Sequence, residues 1–279
     1  MARGGRRVDL TTAYLLHHKP WRDTSRMLEV FSREHGRLTL FARGVRGGKS
    51  RHASTLQPFR RLLIAWSGSG DAGQLTQAER EPADTLPELP AAAMMSAWYL
   101  NELLLKLTVR LDPQPLVFDL YDRTLAQLRT AASIEASLRG FERQLLELLG
   151  YGIEFEQVAR EGGALQSGAY YHFHPDLGFV QVTGETGGKV FEGRVLLAIA
   201  ADDYTDETVL EPAKRILRMA LDHAKGLVPQ GVTRTFRGIS GGPFTGRVTA
   251  PADFPREGAV TITVGGRVSR RNVVVRGGA

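Results

Sequence analysis

The sequence predicts an α+β chain in which a small closed β-barrel is followed by an α-helical bundle. Three observations lead there. Residues 8–66 alternate short aliphatic and aromatic runs with turn chemistry, and from Leu89 onward the apolar spacing becomes helical. Charge is also segregated along the 279 residues. Residues 1–75 hold 14 Lys/Arg against 5 Asp/Glu, residues 76–232 hold 14 against 23, and residues 233–279 hold 8 against 2. The basic first part therefore points to an anionic partner.

Four strands are expected at Leu10–Leu16, Met27–Phe31, Arg37–Ala42 and Arg60–Trp66, with a fifth at the end of the 66–80 stretch. Lys19-Pro20, Glu34-His35-Gly36 and the long run at 44–54 supply the turns between them. Within Arg37–Ala42 the side chains of Leu38, Leu40 and Ala42 fall on one face, and those of Arg37, Thr39 and Phe41 on the other. Five short strands in so short a span suggest a small closed barrel such as the OB-fold, which commonly binds oligonucleotides on one face.

Helical spacing follows. Met94, Trp98, Leu100, Leu104, Leu105 and Val109 give an apolar surface to the helix starting at Ala91, bracketed by Pro87, Pro90, Pro113 and Pro115. Phe118, Tyr121, Leu125 and Leu128 mark a second helix over 116–131. Leu138, Phe141, Leu145, Leu148 and Leu149 mark a third over 134–152, with Gly150 or Gly152 as its C-cap. Residues 154–199 read as irregular, with a hairpin in YYHFHPDLGFVQV turning at PDLG. Residues 206–226 return to helix, with Ile216, Leu217, Met219, Ala220 and His223 on one side. The Gly/Arg-rich end allows short strands at Ala259–Val264 and Asn272–Val275 but is too small for a core of its own. The expected organisation is a basic flexible tail (1–7), an OB-fold nucleic-acid-binding domain (8–80), a helical domain (81–232) with a β-knuckle at about 155–199, and an extension of uncertain order (233–279).

Several chemistries are excluded. The chain has no cysteine, so disulfides, thiolate zinc sites, iron–sulfur clusters and cysteine nucleophiles are ruled out. No run approaches the ~18 apolar residues of a membrane helix, and the charged N-terminus is unlike a secretory signal, so a cytoplasmic location is expected. FARGVRGGKS mimics a phosphate-binding loop, but Arg43 occupies the position where that motif requires glycine and no amphipathic helix follows. GISGG at 238–242 matches a nucleophile elbow literally. Pro243 follows at once, however, and the last histidine, His223, precedes it. His172 and His174 share a strand face near Asp176, but with no thiols they lack further ligands and read as a hydrogen-bonded or exposed pair.

What remains is a binding constellation. Lys19, Arg22, Arg26, Arg37, Arg43, Arg46, Lys49, Arg51, Arg60 and Arg61 are the candidate DNA contacts, with Arg46, Lys49 and Arg51 on a Gly-rich loop. Trp21 and Phe41 are candidate stacking faces or core residues. Arginine suits phosphate because its planar fork donates two hydrogen bonds at once. No ordered base-reading pattern is present, so binding should be sequence-independent and salt-sensitive.

HHKPWRDTSRMLEVFSREHGRLTLFARGVRGGKSRHASTLQPF resembles the opening of the RecO family of bacterial recombination mediators. SAWYLNELLLKL (96–107), RGFERQLLELLGYG (139–152) and KRILRMAL (214–221) are similar to its helical signatures, in order from about residue 8 to 230. The resemblance implies an N-terminal OB-fold joined to a helical domain with a zinc-finger-like insertion, and no bond-making catalysis. It implies binding to single- and double-stranded DNA, annealing of complementary strands, and partnership with RecR and with the C-terminal tail of single-strand-binding protein, so that RecA is loaded. It also implies a cytoplasmic, nucleoid-associated protein without membrane contact. Some relatives hold zinc through four cysteines in the stretch that is 157–182 here. This chain has none there, so no metal or cofactor is expected, and Tyr170, Tyr171, Phe173 and Phe179 are the residues expected to hold the knuckle. Arg139 sits at the family position that meets the tail, with Leu103, Leu107 and Leu138 as the expected groove; Gly140 replaces a second basic residue of some relatives. Residues after about 238 match nothing in the family; a basic extension that adds DNA affinity and a shifted reading frame in the source gene both fit. An OB-fold RNA-binding module and a nucleic-acid-processing enzyme are the alternatives.

Overall fold

The computed structural model describes residues 6–45, 54–69, 72–159, 162–183, 190–228, 257–264 and 267–274. Residues 6–80 form a closed five-stranded barrel in the order β1-β2-β3-β5-β4: β1 Arg6–Trp21, β2 Ser25–Ser32, β3 Gly36–Ala42, β4 Leu62–Ser69 and β5 Ala72–Arg80. Closure depends on β1. Its first half pairs antiparallel with β4 and its second half with β2, and register shifts at Val8/Thr11 and Leu15/His17 bend it from one neighbour to the other. β3 and β5 close the remaining seam in parallel.

The alternation read in β3 holds. Leu38, Leu40 and Ala42 are buried in the barrel core with Ala13, Leu15, Leu28, Val30, Leu62, Ile64 and Trp66. The 66–80 stretch, read as a loop followed by one last strand, is strand at both ends, because β4 runs on to Ser69 and β5 starts at Ala72.

Among the described residues five helices follow: α1 Ala91–Leu107, α2 Pro115–Thr130, α3 Ile134–Leu148, α4 Gly193–Ala200 and α5 Glu207–Leu227. Pro115 opens α2 at a position where its missing N–H costs nothing. Ser133 caps α3 by accepting a hydrogen bond from the Ala136 N–H at 3.2 Å. Beyond α3, Gly150 adopts φ +82°, the left-handed conformation that ends helices. The buried stripe of α1 differs from the expected one. Ala93, Ala97, Leu100, Asn101, Leu103, Leu104 and Leu107 face inward, and Met94 and Trp98 are partly exposed. Asn101 holds the inner position because its amide donates to the Leu16 carbonyl of β1 at 2.8 Å and accepts from the Tyr121 hydroxyl.

The knuckle is a three-stranded antiparallel sheet, β7-β6-β8: β6 Tyr170–His174, β7 Gly178–Val182 and β8 Val190–Glu192. Its zinc-finger-like description is not supported. Phe155, Val158, Leu165, Tyr171, Phe173, Phe179 and Phe191 are buried as an aromatic and aliphatic core, with Phe173 and Phe179 rings 5.0 Å apart. Helix α4, in a stretch read as irregular, follows directly. The His172 and His174 rings lie 4.4 Å apart on one face.

Residues 1–227 form one compact unit, so the barrel and helices belong together; residues 228–279 form a second. In the second, β9 Glu257–Val264 and β10 Arg267–Val274 pair as an antiparallel hairpin. The GISGG stretch at 238–242 lies outside the described residues. Among the described residues no helix is long and apolar enough to cross a membrane.

Candidate nucleic-acid interface

The candidate cations divide into two populations. The first joins the barrel to the helices. Arg61 forms a two-oxygen contact with Asp122 of α2, Nη2 lying 2.7 Å from each oxygen, and the buried Tyr14 hydroxyl donates to the same carboxylate. Burial first, and then Asp122, hold the Tyr14 phenol well above its ordinary value. Arg60 is buried; it donates to the Leu86 carbonyl at 2.7 Å and pairs with Glu88. Arg33 meets Asp119 of α2 through two parallel bonds of 2.8 and 2.9 Å.

Arg37 donates to the Thr108 hydroxyl and carbonyl and lies 3.5 Å from Glu29. Arg110, from the link between α1 and α2, completes this cluster. It reaches both Glu29 oxygens at 2.7 and 2.8 Å and the Thr39 hydroxyl at 2.6 Å. The 108–112 link lies along β3: the Leu111 N–H donates to the Arg37 carbonyl, and a Cβ on Gly36 (φ +68°) would stand 2.2 Å from the Asp112 oxygen. Arg37, Arg60 and Arg61, expected as DNA contacts, are thus engaged by partners within the chain. Arg61 is held by Asp122 of α2, Arg60 by the Leu86 carbonyl and Glu88 of the link after the barrel, and Arg37 by Thr108 together with Glu29 of the barrel itself. Sequence reasoning credited these charges to an external partner. The pairing of an Arg-rich first region with an Asp/Glu-rich second one was the signal that they could meet each other.

The second population gathers at the opposite end of the same β1–β2–β3 surface. In register, Lys19 lies beside Met27 and Met27 beside Phe41, one row across three strands. The exposed Trp21 ring packs on Phe41 with centroids 5.2 Å apart. Arg22, in the left-handed conformation at φ 52°, starts the β1–β2 turn, with Asp23 next to it. Arg26 pairs across strands with both Pro20 and Ala42, and Arg43 directly follows β3; Lys19, Arg22 and Arg43 are exposed and Arg26 half-buried. Among the described residues no ion pair involves Lys19, Arg26 or Arg43. Burial, then Arg26 and His17, hold the His18 imidazole below its ordinary value. Arg46, Lys49 and Arg51 lie outside the described residues.

The residues expected to meet the tail of single-strand-binding protein lie on α1 and α3. Leu103 and Leu107 are buried in the helical core and Leu138 is half-buried. Arg139 is buried too, its Nη2 2.8 Å from Glu142, while its Nε and Nη1 have no hydrogen-bond partner among the described residues. Arg139 and Glu142 are i and i+3 on α3, and Glu142 also accepts from Tyr99 at 2.7 Å. Burial raises the Glu142 carboxyl above its ordinary range.

Similarity to known proteins now decides the family. Residues 8–81 match the family model of recombination protein O, N-terminal part, and residues 91–223 match its C-terminal part. The chain belongs to the RecO family. It is 39% identical over 213 residues to the DNA repair protein RecO of Haemophilus influenzae, covering 76% of this chain and 89% of that protein. It is 40% identical over 216 residues to that of Nitrosococcus oceani (77% and 87%) and 38% identical over 227 residues to that of Azoarcus sp. (80% and 93%). Membership of RecO makes this a protein of DNA repair and recombination. The two matched segments cover the barrel and the helices into α5, leaving residues 224–279 beyond them.

Proposed function

We propose that this RecO protein is a non-catalytic mediator that binds single- and double-stranded DNA through the barrel end bearing Lys19, Trp21, Phe41 and Arg43, which the helices leave open, anneals complementary strands, and helps load RecA together with RecR. The supporting observation is that Lys19, Arg22 and Arg43 are exposed at the same strand ends as Trp21 and Phe41, with Arg26 in the neighbouring Pro20/Ala42 row. Lys19, Arg26 and Arg43 form no ion pair among the described residues, so their charge is available to phosphate. Held phosphates leave base edges outward for pairing. Arg46, Lys49 and Arg51 extend the same set in sequence.

Arg139 is retained as the proposed contact for the tail of single-strand-binding protein. The support is its pair of buried donors that have no hydrogen-bond partner among the described residues and that an entering carboxylate would satisfy.

The experiment is annealing of complementary oligonucleotides, bare and coated with single-strand-binding protein with and without its terminal peptide. Annealing of bare strands should fall sharply when Lys19, Arg26 and Arg43 are replaced by Gln. Arg139→Ala should slow annealing only on strands coated with the intact protein. Unchanged annealing of bare strands by the triple variant overturns the reading of the barrel end.

A further inference from the structure

We infer that Trp21 and Phe41 form a nucleobase platform that makes the open barrel end prefer single strands over duplex. The inference rests on the DNA-binding reading above, and deepens it from phosphate attraction to base contact. Trp21 keeps 40% of its surface exposed although it packs on Phe41 at 5.2 Å with the rings inclined by 45°. A lone exposed aromatic residue is ordinary on a protein surface, but a pair in contact is an apolar patch that water covers at a cost. Here the pair occupies the same strand-end surface as Lys19, Arg22 and Arg43, so a backbone held by those cations would set its bases within reach of the indole.

The register also argues for a built platform. Met27 lies between Lys19 and Phe41 across the strands, and the Phe41 carbonyl accepts from the Gln74 side chain at 2.7 Å, fixing β3 to β5 beneath the ring. The rings therefore stand on the barrel wall, which holds them in place before a base arrives. Any base has a π-face, so such a platform accepts all sequences, but in a duplex those faces are already stacked inward. Cations act on both forms; the platform acts on one.

The test measures binding of the full chain to oligothymidylate and to a blunt duplex, following intrinsic fluorescence and anisotropy of labelled DNA. The other two tryptophans are Trp66, buried in the barrel, and Trp98, packed on Phe59 at 4.8 Å. Oligothymidylate should quench wild-type emission and duplex should not. Trp21→Ala should bind oligothymidylate about tenfold more weakly, the scale of one base stack removed, with duplex affinity unchanged. Trp21→Phe should keep affinity near wild type but lose the quench. Equal weakening of Trp21→Ala on both DNA forms, or no change on either, overturns the platform. In that case Lys19→Gln and Arg43→Gln still weakening both forms would leave the DNA-binding reading standing, whereas a wild-type chain that binds neither form overturns both.

Discussion

At one end of the β1–β2–β3 surface, Arg37 and Arg110 converge on Glu29 beneath the α1–α2 link. At the other, Lys19 and Arg43 stand beside Trp21 and Phe41, and no ion pair among the described residues engages them. Both ends carry cations and both carry aromatic rings, since Tyr14 and Phe31 near the joined end lie 5.4 and 5.7 Å from Phe118 of α2. What differs is whether the helical region reaches them. Where it does, the same residue types bind the protein to itself; where it does not, they are left for a ligand. A count of arginines therefore says little about a nucleic-acid surface until the carboxylates around them are placed.

The largest way to break this comparison acts on the joined end. Glu29→Ala leaves Arg37 and Arg110 without their shared carboxylate in a largely buried position, and should cost about 3–5 kcal/mol in urea unfolding. DNA affinity of the folded protein should be unchanged. Next, Lys19→Glu with Arg43→Glu should weaken single-strand binding by more than about tenfold in filter or anisotropy assays. Unfolding stability should stay within about 0.5 kcal/mol, because exposed side chains outside any ion pair contribute little.

A smaller effect is visible in pH. The folded protein holds the Tyr14 proton above the ordinary pKa of 10.0, so this stabilisation is complete below pH 10 and is lost as pH rises beyond it, where only the unfolded chain ionises. Tyr14→Phe should flatten the alkaline fall in stability by about 1 kcal/mol per pH unit above 10. The smallest effect belongs to Asp119, whose carboxyl the Arg33 hydrogen bond holds below its ordinary range. Its contribution is present above that range and lost as pH falls through it. Because the pair is about half exposed, Asp119→Asn should cost less than about 1 kcal/mol at pH 7.

Much of the fold was legible because its signals are local. The two-residue alternation of β3 and the helical spacing of Phe118, Tyr121, Leu125 and Leu128 each depend on neighbours close in sequence. Helix α4 was not legible: its eight residues are short, and its start at Gly193 is set by packing, since a Cβ there would meet the Gln166 carbonyl at 2.0 Å. The outward turn of Met94 and Trp98 was hidden for a similar reason, because Asn101 is drawn inward by a partner 85 residues away. In the candidate site, Lys19, Arg22, Arg26 and Arg43 could be named from sequence. The inward roles of Arg37, Arg60 and Arg61 could not, since Thr108, Glu88 and Asp122 become their neighbours only after the helices dock.

The central claim is that the open-end cations, and not those at the join, meet the polyanion. It is tested most directly by the salt dependence of single-strand binding in two triple variants: Lys19→Gln, Arg26→Gln, Arg43→Gln, and Arg33→Gln, Arg60→Gln, Arg61→Gln. The slope of log affinity against log salt should shrink by about 0.7 for each phosphate that the first variant no longer neutralises, and stay at the wild-type value in the folded fraction of the second. A wild-type slope in the first variant together with a reduced slope in the second would contradict the account.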